Sequence, residues 1–215
     1  MERLLLPYSQ ARTQIKTGDL LLYAPTRWAE PLNRAIARRG PSPPLRRYAH
    51  AGMAVWSHRV LLQVDMLQGV GGRVIRLSRE VERFPGQYDV YRVCGLDVSK
   101  ADKAAGIMLE AAGSPYGWES LGYAAASQYG ILPAVKDDAL NGSVPHCAQL
   151  VSKALREAGC DPMDDLADRY TTPNHLACSR FSNYQFTLGV SNHATAKHNP
   201  RFCDYARPVA IRWTI

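Results

Sequence analysis

No apolar run in the chain approaches the roughly 20 residues that a membrane-spanning helix needs. The first ten residues, MERLLLPYSQ, carry only three consecutive leucines and no small-residue cleavage site. They do not read as a secretory signal, so the expectation is a protein that begins life in the cytoplasm unless a non-classical route exports it. There is no Cys-x-x-Cys pair. The five cysteines (Cys94, Cys147, Cys160, Cys178 and Cys203) are odd in number and irregularly spaced, which does not read as a disulfide framework. His175-x-x-Cys178 and the His198 and Cys203 pair keep zinc open as the minor reading, because structural zinc sites usually show tighter paired spacing. No metal is assigned and no cofactor is implied. Repeats, low-complexity tracts, aromatic-rich RNA motifs and helix-turn-helix patterns are all missing, so no specific nucleic-acid partner is expected.

What is present reads as an ordinary globular chain. With 215 residues it can bury one proper core, and 46% apolar with 21% charged residues argues against long disorder. The expectation is a single domain over 1–215, with its core in about 17–182 and a C-terminal extension over 183–215 that ends in a β-prone run, ARPVAIRWTI. A net charge of +7 favours anionic partners without choosing among them.

TGDLLLYAP (17–25) predicts a turn feeding a buried strand, and RWAEPLNRAIARR (27–39) an amphipathic helix with Trp28, Leu32, Ala35 and Ile36 on one side. HAGMAVW (50–56) and VLLQVDML (60–67) predict a hairpin across Ser-His-Arg. A glycine-rich turn and strand in GVGGRVIRLS and a further strand in YDVYRVC (88–94) follow. Helices are predicted from Ser99 to Gly113, with Ser99 and Asp102 as a capping box, over 118–130, after Cys147, and after the Thr172 N-cap with Pro173 at the first helical position. This order gives an α+β fold with the helices on one face of an antiparallel sheet or half-barrel.

The chemistry centres on SVPHCAQLVSKALREAGC, Ser143 to Cys160. Leu150, Val151, Ala154, Leu155 and Ala158 recur at helical spacing, and Gly159 supplies the stop. Cys147 therefore lies in the first helical turn, where free backbone N–H groups and the helix dipole favour a thiolate. A thiol becomes a nucleophile only when a base activates it. His50 begins a strand on the same face as the small Gly52 and Ala54, which leaves room for an approaching group. His146 neighbours Cys147 but points about 100° away on a helix, which makes it a poor base and a candidate to flank the substrate. On the next strand Gln63 and Asp65 share a face, and either can accept the imidazole N–H.

These segments, with GDLLLY, YAHAGMAV, LLQVDMLQGV, YDVYRV, AAGSPYGW and TTPNHLACSRF in order, resemble the circularly permuted branch of the NlpC-type papain-like enzymes. That group includes YiiX-like bacterial proteins and relatives of lecithin–retinol acyltransferase. The resemblance spans about residues 17–182. It implies a permuted papain-like fold, His50 as general base, Cys147 as nucleophile, a third polar residue most naturally at Gln63 with Asp65 as the alternative, and a positional role for Tyr116. Asp19 reads as a turn residue.

The implied activity is acyl transfer by a cysteine hydrolase, with an amidase or peptidase on bacterial cell-wall-type peptides as the leading substrate class. A phospholipid or fatty-acyl acyltransferase or esterase is the alternative, as is a non-catalytic anion-binding module of the same fold. Arg46 and Arg47, in the cluster just before His50, are candidates to guide a peptide or acyl substrate that carries negative charge. The chain carries no signal for its oligomeric state.

Overall fold

A computed structural model describes residues 2–24, 31–83, 88–134 and 144–189. A seven-stranded sheet organises them, in the order β1-β7-β6-β2-β3-β4-β5. Its strands are β1 (Leu5–Pro7), β2 (Leu20–Tyr23), β3 (His50–Ser57), β4 (Val60–Leu67), β5 (Gly71–Arg76), β6 (Tyr88–Val93) and β7 (Ser182–Gly189). Only the β1–β7 pair is parallel; the other neighbours are antiparallel. The helices are α1 (Tyr8–Ala11), α2 (Pro31–Arg39), α3 (Leu77–Arg83), α4 (Val98–Glu110), α5 (Trp118–Gln128), α6 (Cys147–Glu157) and α7 (Pro173–Cys178). The fold is α+β. No helix among the described residues is long and apolar enough to cross a membrane.

Four consecutive buried residues in β2, Leu20 to Tyr23, show that both faces of the sheet are covered. Leu20 and Leu22 join Ala51, Met53, Val64 and Met66 in the larger core, where Met108 of α4 and Val151 and Leu155 of α6 close over them. Leu21 and Tyr23 join Ala54, Leu61, Val90 and Phe186 in a smaller core, sealed by Ala11 of α1 and Leu77 and Val81 of α3. This corrects the expectation of helices on one face alone. The two short helices that cover the second face carry too few residues to display a helical period in the sequence.

Two further differences concern where elements begin and end. Helix α4 begins one residue before Ser99, because Asp97 is extended and its carboxylate accepts from the Lys100 N–H at 2.9 Å, so Asp97 is the N-cap. Strand β7 lies in the stretch expected to be an extension, yet it sits between β6 and β1 with Phe186 and Leu188 buried. The predicted final run ARPVAIRWTI lies outside the described residues, as do Trp28, the side chain of Leu32, Ser143 and the His198 and Cys203 pair. Asp19 is a turn residue, as expected: its carboxylate accepts from the Lys16 N–H at 2.8 Å and pairs with Arg92 at 2.9 Å.

Candidate active site

Cys147 is the first residue of α6 and is buried. The helix starts there because His146 is extended and acts as its N-cap. The His146 Nδ1 accepts from the Gln149 N–H at 3.5 Å, and its Nε2–H donates to the Arg169 carbonyl at 3.1 Å. Gln149 completes a capping box by accepting from the His146 N–H at 3.3 Å, and Ser120 donates to the same amide oxygen. Both ring nitrogens of His146 serve the buried cap. The ring nevertheless touches the thiol, because an N-cap lies outside the helix and is not bound by the 100° spacing of helical neighbours.

The segment before α6 is held by close backbone contact. The Gly117 N–H donates to the Pro145 carbonyl at 3.1 Å, and a Cβ at Gly117 would meet the Val144 carbonyl oxygen at 2.0 Å. We expect Gly117→Ala to push residues 144–145 outward and to lower stability by about 2 kcal/mol, the cost typical of forced overpacking. A shift of the urea midpoint checks this, and a loss below about 0.5 kcal/mol would mean that the segment yields freely.

His50 opens β3 and lies opposite Tyr23 of β2, whose ring meets it edge-on at 5.2 Å. Two residues along, Gly52 pairs with Asp65 of β4. A Cβ at Gly52 would stand 3.1 Å from the Asp65 Cβ and 3.6 Å from the Gln63 Cγ, so glycine leaves the space through which Asp65 reaches the histidine. His50 Nε2 meets Asp65 Oδ2 at 2.9 Å, which leaves Nδ1 for the hydrogen bond with the Cys147 side chain.

Asp65, not Gln63, therefore holds the imidazole. Gln63 stands behind it, donating to Asp65 Oδ2 at 2.5 Å and accepting from the Tyr23 hydroxyl. Arg73 on β5 closes the arrangement, with Nε 2.9 Å from Asp65 Oδ1 and Nη2 2.8 Å from Oδ2. Arg73 is in turn paired with Glu80 of α3 at 3.2 Å. The sequence reading missed Tyr23, Arg73 and Glu80. Their one signal was the odd-even alternation that puts Arg73 on the Asp65 face of its strand.

The charges follow from this geometry. Burial alone would raise the Asp65 pKa, but the Arg73 guanidinium, joined by His50, more than reverses that and holds the carboxyl well below its usual range. Burial disfavours a charged His50, yet the facing Cys147 and the Asp65 bond push its pKa up to about 10. Burial likewise opposes a Cys147 thiolate, and the His50 imidazolium, helped by the His146 contact, lowers the thiol to about 5. At neutral pH the site is a buried thiolate–imidazolium pair backed by a carboxylate.

Tyr116 belongs to the same cluster. Its hydroxyl hydrogen-bonds both the side chain and the backbone of Cys147, and also the Gln68 side chain; burial, then the neighbouring thiolate, keep the phenol well above its ordinary pKa. Arg46 and Arg47 do not join the site. Arg46 forms a two-toothed pair with the buried Asp89, 3.0 Å on each arm, and Arg47 donates to the Ala37 and Gly40 carbonyls at 3.1 and 3.0 Å. Both guanidinium groups tie the 40–49 loop to the fold.

No family model matches the chain, and no curated protein matches it. Among solved structures it is similar to "metalloprotein yiiX from Escherichia coli O157:H7, DUF1105", with 17% identity over 80% of this chain and 97% of that chain, at a TM-score of 0.47.

Proposed function

We propose that the chain is a thiol hydrolase of the permuted papain-like kind, acting by acyl transfer through Cys147, His50 and Asp65. The observation that carries this reading is the buried line from thiol to imidazole to carboxylate, with the thiol lowered to about 5 and the imidazole raised to about 10. A group that served only to fill the core would have no use for such a pair, and a buried charge pair alone is weak support for stability.

The steps follow from the geometry. The Cys147 thiolate attacks the carbonyl carbon of the substrate, and the carbonyl electrons move onto oxygen. The backbone N–H of Cys147, at the helix N-terminus, donates to the Tyr116 hydroxyl in the free site and turns to the oxyanion when substrate displaces that hydroxyl. As the tetrahedral intermediate collapses, the C–N bond breaks and the His50 Nδ1 proton passes to the departing amine. His50, now neutral, takes a proton from water, whose oxygen attacks the thioester and releases the acid, returning thiolate and imidazolium. Asp65 fixes the tautomer and orientation of His50 throughout. A carboxylate in that position supports the imidazolium better than the amide of Gln63 would.

The sequence resemblance directs the choice of substrate to amide bonds of cell-wall-type peptides, with phospholipid or other acyl donors second. The word metalloprotein describes the yiiX structure. Among the described residues of this chain no group of three or more His, Cys, Asp and Glu is disposed to hold a metal ion. Incubation with stem-peptide fragments of bacterial peptidoglycan and with phospholipid vesicles, read by mass spectrometry, tests the proposal. The expected result is cleavage of the peptides that falls by about a thousandfold or more in Cys147→Ala. Cleavage that survives that change would overturn it, and release of fatty acid instead would select the acyl-lipid class.

A further inference from the structure

Asp65 Oδ2 accepts from three donors at once: His50 Nε2–H at 2.9 Å, Gln63 Nε2–H at 2.5 Å and Arg73 Nη2–H at 2.8 Å. Oδ1 accepts from Arg73 Nε–H at 2.9 Å. A proton on either oxygen would meet a donor head-on, so the arrangement fits only the ionised carboxylate. Solvent does not supply that ionisation, because Asp65 is fully buried. Charges alternate outward from the sulfur: the Cys147 thiolate, the His50 imidazolium, the Asp65 carboxylate, the Arg73 guanidinium, and the Glu80 carboxylate of α3. The other titratable groups in contact are His146 and Tyr116 at the sulfur, and Tyr23 behind Gln63. Without Arg73, one imidazolium would stand between two buried anions. Asp65 and Arg73 are direct cross-strand partners, so the strand register itself delivers the guanidinium.

We propose that Arg73 is a positioning residue of the acyl-transfer site: it keeps Asp65 ionised with Oδ2 aimed at His50, and so sets the acid limit below which the imidazolium loses its counter-charge. This deepens the thiol hydrolase reading and rests on it. Arg73 acts through Asp65 and His50, two side chains away from the sulfur. Arginine suits the role because its planar fork engages both carboxylate oxygens, whereas a lysine ammonium is a point charge.

The test follows the His50 Nε2–H resonance by proton–nitrogen NMR of the histidine-labelled full chain from pH 4 to 8, assigned by its loss in His50→Ala. His50 stays doubly protonated across this range. Removing Arg73 alone would strand the buried Glu80, so the variant is Arg73→Met with Glu80→Gln, which removes that pair together. The wild type and Glu80→Gln alone are expected to give a signal that does not change with pH. In the double variant the signal should shift with a midpoint of about 5, because burial then outweighs the single imidazolium contact. Arg73→Lys should bring that midpoint down by at least about one unit. A signal in the double variant as constant as that of the wild type would overturn the proposal. So would an equal shift in Glu80→Gln alone, or a lysine that restores nothing. Carbamidomethylation of the same samples at pH 6 separates this from the reading beneath it. A wild-type Cys147 that does not label removes the thiol hydrolase, whereas a labelled Cys147 with a constant signal in the double variant removes the role of Arg73 alone.

Discussion

Replacing His50 by alanine moves the titration of Cys147 from about 5 to at least the ordinary thiol value of about 8.5. The imidazolium is the strongest influence holding the thiolate; once it is gone, burial pushes the thiol up, opposed by the helix N-terminus, the His146 contact and the Tyr116 hydroxyl. The thiolate fraction at pH 7 then falls from nearly complete to about 3%, a loss of about thirtyfold. Thiolate absorbance near 240 nm across pH 4–10, with Cys147→Ser as the blank, measures both proteins. A midpoint that stays near 5 in His50→Ala would show that the helix and His146 suffice and that His50 is not the partner.

The same pair shapes stability against pH. In the unfolded chain the thiol ionises at about 8.5 and the imidazole at about 6.5. Cys147 is depressed in the folded state, so its contribution is present above the unfolded thiol value and declines as pH falls toward 5. His50 is raised, so its contribution is present below the unfolded imidazole value and declines as pH rises toward 10. Between about 6.5 and 8.5 folded and unfolded chains bind the same number of protons at these two groups, and their joint contribution is flat. It falls on the acid side because the unfolded histidine gains a proton, and on the alkaline side because the unfolded thiol loses one.

Asp65→Ala is expected to lower stability by about 3–5 kcal/mol, the usual cost of removing one partner from a buried ion pair. The carboxylate is fully buried and holds His50, Gln63 and Arg73 at once. Its loss leaves Arg73 with Glu80, and His50 without the acceptor on its Nε2. Urea unfolding at pH 7 measures the change, and a loss below about 1 kcal/mol would contradict the arrangement. The effect also has a pH signature. Asp65 is depressed in the folded state, so its stabilisation is complete above the unfolded carboxylate value of about 3.9 and is lost as pH falls further. The gap between wild type and variant should therefore narrow below about pH 4.

His50 and Cys147 were legible because each marks an element boundary: a histidine opening a strand before small residues, and a cysteine opening an amphipathic helix closed by glycine. Local pattern carries that much. Gln63 and Asp65 could not be separated, since they share a face two residues apart. What distinguishes them is long-range: the space at Gly52 admits Asp65, and Arg73 arrives from β5. The partners of Arg46 and Arg47 could not be read for the same reason, because Asp89, Ala37 and Gly40 are brought to them by tertiary folding. The contact of His146 with the thiol was hidden by a boundary of one residue, since His146 is the cap rather than a helical position. Strand β7 did carry a signal, the alternation of Tyr184, Phe186 and Leu188, but the polar stretch after it diluted the pattern.

The pairing of Cys147 with His50 is tested most directly by the rate of carbamidomethylation of the wild-type protein from pH 4 to 10, resolved by cysteine. Cys178 serves as the internal reference, since burial raises its thiol pKa. The account predicts rapid labelling of Cys147 with a midpoint near 5, while Cys178 follows an ordinary or higher thiol profile. Labelling of Cys147 that rises only with that of Cys178, near or above pH 8.5, would contradict a thiolate–imidazolium pair and the acyl-transfer reading built on it.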